Sequence, residues 1–217
     1  MTDQNFSTMR AAMVASQLRT NNVNDPRVVA AFEAVARERF VPAEWRSLAY
    51  VDVPVPLAGG RALNAALVTA RLLTEARLSL VDKLLIIGGA TGYGATVAAE
   101  LVGSVVAVEE DETLVAQAKI NLAGDTRITF ACGPLVAGWA ACAPYDVIII
   151  DGAIEQIDPR IPGQLAEGGR LLAAINDAGV IRLAVGRRVG AHCAMIPFAE
   201  TGAVQLPGFE TPKNFVF

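Results

Sequence analysis

Residues 84–109 read LLIIGGATGYGATVAAELVGSVVAVE, and their order decides the fold. An apolar run, 84–87, meets a glycine-rich turn over 88–94. A small-residue helical stretch, 95–101, follows, and a second apolar run, 105–108, ends at Glu109. The pattern is strand, tight turn, helix, strand, acid. Glycine lets backbone approach a ligand closely. The free N–H groups and positive end of the following helix favour a polar or anionic group. A carboxylate at the tip of the next strand suits a ribose diol. An acid about 20 residues after the first glycine is the spacing of nucleoside-binding units. The stretch therefore predicts a nucleoside-containing ligand at the C-terminal ends of parallel strands. The bland alternative is a tight turn in a doubly wound fold that binds nothing.

The rest of the chain extends this unit on both sides. Regular alternation follows it: 84–87, 105–108, 127–130, 145–150 and 170–175 are strand candidates, and helical patterns such as 112–122 separate several of them. That alternation predicts a parallel sheet with helices on both faces. The run 145–150 is apolar almost throughout, as a strand buried on both faces should be. Segments 180–189 and 192–198, joined at Gly190, read as an antiparallel hairpin added at the sheet edge. Upstream, 9–18 has apolar residues at helical spacing, and 25–36 opens with Asp25 as cap and Pro26 at the first helical position. Segment 40–56 is proline-punctuated and irregular, Gly59-Gly60 breaks the chain, and 62–76 reads as an Ala/Leu-rich helix. The expected fold is α/β: a doubly wound, mostly parallel, seven-stranded Rossmann-like sheet with N-terminal helices and a C-terminal edge hairpin. Residues 1–78 read as a helical extension and substrate-side segment packed on the same domain, and 79–217 as the ligand-binding domain.

Composition bounds the function. At 217 residues the chain is large enough for a sizeable core, and 53% apolar against 18% charged residues marks a globular protein. A net charge of −4 without a Lys/Arg block gives no support to a nucleic-acid groove. No apolar run reaches membrane-spanning length, and the first residues lack the basic-then-apolar pattern of a signal peptide. Cys132, Cys142 and Cys193 have no C-x-x-C spacing and read as buried thiols of a reducing, cytoplasmic compartment. His192 is the only histidine, which argues against His-based triads and His-cluster metal sites.

Two nucleoside readings compete at the turn. It is similar to the turn of short-chain dehydrogenases, but over 80 residues precede it, and none of Tyr50, Tyr93 and Tyr145 has the lysine four places on that this family uses. The second reading draws on linked motifs. Met13-Val-x-x-Gln17-Leu-Arg19, Asp25-Pro-Arg-Val28, Arg39-Phe-Val-Pro42 and Ala49-Tyr50-x-Asp52-x-Pro54 precede the turn. Gly92-Tyr93, Val108-Glu109, Ala143-Pro-Tyr-Asp146 and Gly168-Gly-Arg-Leu171 follow in order. Across roughly 9–198 this sequence resembles the protein-L-isoaspartate O-methyltransferase family, a branch of the class I S-adenosylmethionine (SAM) methyltransferases.

The resemblance implies methylation of the abnormal carboxylate left when Asn or Asp residues isomerise, in a protein or peptide substrate. It implies SAM as cofactor and places Gly88, Gly89, Ala90, Gly92, Glu109, Cys132, Gly133 and Asp151 around it, with Asn64 beside the acceptor carboxylate. Asp151 has a second reading as the cap of a following turn, and Glu109 as a solvated acid among Glu110, Asp111 and Glu112. His192 falls on the edge hairpin, away from the ligand. The aromatic tail 209–217 either docks on the body or forms a substrate-side lid.

Several positions depart from the family pattern. Ile86 stands where a Glu is usual, Ala90 replaces the middle glycine, Asn64 replaces a Ser, Ala66 a Pro, and Cys132 an Asp. Ile86 accepts no hydrogen bond, Cys132 accepts poorly, and Ala90 is strained if its φ is positive. Asn64 is the mildest change, because its amide still donates to a carboxylate. Each lost hydrogen bond costs on the order of 1 kcal/mol. Three such losses weaken SAM binding by roughly a hundredfold if additive. These losses motivate the alternative of a catalytically degenerate SAM-binding or partner-binding module on the same fold.

Overall fold

A computed structural model describes residues 5–211. Helix α1 (Phe6–Met13) is capped by Asn5, whose side chain accepts from Thr8 N at 3.1 Å, and it runs into a π-helical turn over Val14–Leu18. Helix α2 (Pro26–Ala34) starts as its sequence demands, with Asp25 accepting from Arg27 N at 2.9 Å and Pro26 in the first turn. Strands β1 (Val55–Pro56) and β2 (Ala62–Leu63) pair as a short antiparallel ribbon. Helix α3 (Ala66–Glu75) follows. It begins four residues later than its composition suggests, because Ala62 and Leu63 are drawn into the ribbon opposite Pro56 and Val55.

The main sheet is built from β3 (Lys83–Ile87), β4 (Ser104–Glu109), β5 (Ile128–Cys132), β6 (Tyr145–Ile154), β7 (Leu165–Asp177), β8 (Val180–Arg187) and β9 (Met195–Glu200). Helix α4 (Tyr93–Ala99) connects β3 to β4, and α5 (Glu112–Asn121) connects β4 to β5. The strand order is β5-β4-β3-β6-β7-β8-β9. Strands β3 to β7 are parallel, and β8 and β9 are antiparallel to their neighbours. The edge hairpin is the expected one, closed at Gly190 by mutual Val189–His192 backbone bonds of 2.9 and 3.0 Å.

Strand β3 sits mid-sheet with Leu84, Leu85, Ile86 and Ile87 all buried, which is why it reads as an unbroken apolar run. On one face Leu84, Ile86, Val105, Ala107, Val147 and Ile149 pack in a cluster that takes in α2, α3 and α4. That cluster joins the N-terminal helices to the sheet. On the other face Leu85, Ile87, Val106, Ile148 and Ile150 pack against Leu135, Ile161, Leu206 and Phe209. This second face departs from the expectation of helices on both sides. Its described connections hold only single 3-10 turns, over Leu135–Ala137, Ala140–Cys142 and Pro162–Gln164. Pro134, Gly138, Pro144, Pro159 and Pro162 keep those segments from propagating a helix.

Phe209 is buried on this face, and Gln156 N donates to its carbonyl at 3.3 Å, so the described start of the tail docks on the body. The remainder, 212–217, lies outside the described residues. Cys132 is exposed and not buried as expected, because β5 is an edge strand; Cys142 and Cys193 are partly buried. Among the described residues no helix is long and apolar enough to cross a membrane.

The buried Phe32 ring of α2 meets the Tyr93 ring of α4 edge-on at 6.1 Å and so couples the N-terminal helices to the sheet. Phe32→Ala is expected to cost about 3–5 kcal/mol. Urea unfolding followed by circular dichroism should show a shifted but still single transition.

Candidate active site

The sheet order reverses between β3 and β6, and the glycine turn leaves β3 at that switch point. In open α/β sheets this is where a crevice forms at the carboxyl ends of the strands. Gly88 N and Gly89 N both donate to Val108 O, at 3.0 and 2.9 Å, which pins the turn to the end of β4. Gly92, with φ of 95°, starts α4 in a conformation that L side chains avoid. Ala90 does have a positive φ, 46°, so the strain expected of a methyl there is present.

What holds Ala90 is Glu109. Its carboxylate is fully buried and accepts from Ala90 N at 2.9 Å, Glu110 N at 3.0 Å and Asp111 N at 3.4 Å. Arg61 completes the set, with Nη2 2.8 Å from Oε2 and Nε 3.3 Å from Oε1. Glu109 is thus no solvated member of an acidic cluster. Beside it, Gly133 N donates to Glu109 O at 3.0 Å, and Cys132 lies opposite Glu109 in the strand register. The Trp139 ring covers Gly133 closely: a Cβ there would meet it at 3.0 Å.

Asp151 and Asn64 form a second polar node. Asn64 Nδ2 donates to Asp151 O at 2.9 Å and to Asp151 Oδ1 at 3.0 Å, while its Oδ1 accepts from Val204 N at 2.8 Å. Thr69 Oγ1 donates to the same carboxylate at 3.1 Å. Asp151 falls inside β6, at the register shift between Ile149 and Ala153, and not at the cap of a turn. Burial raises its carboxyl pKa, against the opposing hydrogen bonds from Asn64 and Thr69 and the charges of Arg37 and Arg61. Arg37 lies fully buried beneath this node, donating from Nε to Ala49 O at 2.7 Å and from Nη2 to Asn64 O at 2.6 Å. Its guanidinium stands 4.7 Å from the Tyr93 ring centroid. Burial pushes the Tyr93 hydroxyl up to about 12, with the Arg37 charge opposing.

Every residue expected at the site therefore lies at the carboxyl end of the sheet. Gly88, Gly89, Ala90, Gly92 and Glu109 form one node, with Cys132 and Gly133 on its flank, and Asn64 and Asp151 form another. Three participants carried no motif: Arg61, Arg37 and Thr69. A charge directly after Gly59-Gly60, in an otherwise apolar stretch, was the one local signal available for Arg61. A cavity of about 270 Å³ opens beside the turn, lined by Arg39, Phe40, Arg46, Leu57, Thr91 and Gln117 among others.

Residues 9–199 match the family described as protein-L-isoaspartate(D-aspartate) O-methyltransferase. The chain belongs to this family. A relative from Koribacter versatilis, named protein-L-isoaspartate O-methyltransferase, is 35% identical over 185 residues, covering 84% of this chain and 83% of its own. A relative of the same name from Rhodopseudomonas palustris is 37% identical over 167 residues, covering 75% and 76%. A solved protein-L-isoaspartate O-methyltransferase superposes with a TM-score of 0.81 at 26% identity, over 92% of this chain and 66% of that one. A structure from Plasmodium falciparum, in complex with S-adenosyl-L-homocysteine, shares the fold with a TM-score of 0.76 at 16% identity, over 94% and 99%. The family span holds both polar nodes except Val204, which lies beyond its last matched residue.

The raised pKa of Asp151 sets a pH dependence. A carboxyl whose folded pKa exceeds its unfolded value adds stability below about pH 4 and loses it as pH rises through the folded value. Asp151→Asn cannot ionise and keeps partners for Asn64 and Thr69. Wild type should therefore lose stability relative to Asp151→Asn as the pH is raised. Urea midpoints across a pH series check this, and parallel profiles would refute it.

Proposed function

We propose that this chain transfers a methyl group from SAM to the side-chain carboxylate of L-isoaspartyl residues in a protein or peptide. Family membership supports the reaction class. The observation that carries the cofactor reading is the Glu109 carboxylate beneath the glycine turn. The Arg61 fork presents two N–H donors to its two oxygens. A ribose diol presents two donors to a carboxylate in the same way, so the residues fit a nucleoside in kind. Gly88, Gly89, Ala90 and Gly92 would hold the amino-acid end, Glu109 the ribose, and Cys132 and Gly133 the base, with Asp151 on the rim.

When bound, SAM supplies an activated methyl group on a sulfonium sulfur. The remaining demands fall on the protein. A carboxylate acceptor is already ionised at neutral pH, so no general base is required, and a chain with one histidine, His192 on the distant hairpin, meets the need. The site must align the acceptor and exclude water. Asn64 is the acceptor-side residue in this reading: its amide donates to a carboxylate, in this structure that of Asp151. Residues 1–78 supply the substrate side and 79–217 the cofactor side. A net charge of −4 favours neither nucleic acid nor an anionic membrane surface as partner, and the setting proposed is the cytoplasm.

Incubation with methyl-tritiated SAM and an isoaspartyl peptide should yield a base-labile methyl ester, and the normal aspartyl peptide should yield none. Absence of label at saturating SAM would overturn the reading.

A further inference from the structure

The cofactor cleft assigned above is filled by the chain's own side chains. Residues 55–63 form a hairpin whose strands pair Val55 with Leu63 and Pro56 with Ala62. It is closed by Leu57 N donating to Arg61 O at 2.9 Å and Arg61 N to Ala58 O at 3.1 Å. Its tip carries Gly59 and Gly60, with φ of 63° and 72°. Gly59 rests on the cap of α5 so closely that a Cβ would overlap Asp111 Oδ2. From just beside the tip, Arg61 reaches Glu109 and pairs with both of its oxygens, and both side chains are buried. Leu206 closes the space from the other side, packed so tightly over Gly88 that a Cβ there would meet it at 3.0 Å.

We propose that this hairpin is a latch on the cofactor site: with Arg61 on Glu109 the nucleoside cleft is shut, and cofactor enters only when the hairpin lifts and Arg61 withdraws. The inference rests on the SAM reading given above. Each Glu109 oxygen already has its donors, so a ribose diol and the Arg61 fork compete for the same acceptor. The pair is also not optimised as a permanent structural bridge. Arg61 Nη1 is buried with no hydrogen-bond partner. A buried ion pair gives net stability only when its remaining donors are satisfied, and an unmade buried hydrogen bond is costly. Withdrawal returns Nη1 to water, which offsets part of the loss of the pair.

Two substitutions open the latch by different routes. Arg61→Ala removes the group that competes for Glu109. Gly59→Val leaves Arg61 and Glu109 untouched but places a β-branched side chain against Asp111 at a φ of 63°, which it does not favour, and so biases the tip away from its closed position. Apparent affinity falls by the fraction of molecules in the competent state, so a latch shut about nine-tenths of the time weakens binding about tenfold. The experiment is calorimetric titration of the full-length wild type and both variants with S-adenosylhomocysteine, each first checked for a cooperative thermal transition. Both variants are expected to bind about tenfold more tightly than wild type. Should Arg61→Ala not fold, Gly59→Val and the longer apolar Arg61→Met carry the test. Binding by wild type with equal or weaker binding by the folded variants would overturn the latch and leave the SAM reading standing. No binding by any form at millimolar ligand would overturn both.

Discussion

The burial of one carboxylate, Glu109, sets the terms for the rest of the site. An ionised carboxylate out of water is tolerated only when it is paired and hydrogen-bonded. Three backbone N–H groups and one guanidinium meet that demand. Each draws a different part of the chain toward the end of β4. Ala90 N brings the glycine turn, Glu110 and Asp111 bring the entry to α5, and Arg61 brings the hairpin. The unfavourable φ at Ala90 persists because its N–H is needed there.

The second polar node does the same for β6. Asn64 joins the hairpin's exit to Asp151 and to Val204, and Arg37 supports its carbonyl from below. The two nodes share the short stretch from Arg61 to Asn64. One short piece of chain therefore ties the end of β4 to the end of β6, through Arg61 on Glu109 and Asn64 on Asp151.

The departures from the family pattern find local reasons in this arrangement. Ile86 is buried in the cluster with α3 and α4 and packs as a core residue. Asn64 carries an amide that bonds Asp151 and Val204, contacts a single hydroxyl could not make together. Cys132 lies on the exposed edge strand, where water meets the needs of a thiol and an acid alike. Leu206 lies past the family-matched span, yet it is the side chain that packs over Gly88.

Much of the fold was legible because its signals are local. Unbroken apolar runs at 84–87 and 145–150 reported strands buried on both faces, the Asp25-Pro26 pair reported a helix start, and the glycines with the acid at 109 reported the turn at the carboxyl end of the sheet. The missing helices on the second face were also written locally, in the prolines of 134–162, but alternation alone overrode them. The sequence by itself determined the parallel sheet, its edge hairpin, the family, and the end of the sheet at which the candidate residues gather. Only the tertiary structure decided that Glu109 is paired with Arg61, 48 residues away, and Asn64 with Asp151 and Val204, 87 and 140 residues away. Periodicity and turn chemistry act over a few neighbouring residues, whereas the partner of a buried charge is chosen by whichever distant segment the finished fold brings within hydrogen-bonding reach.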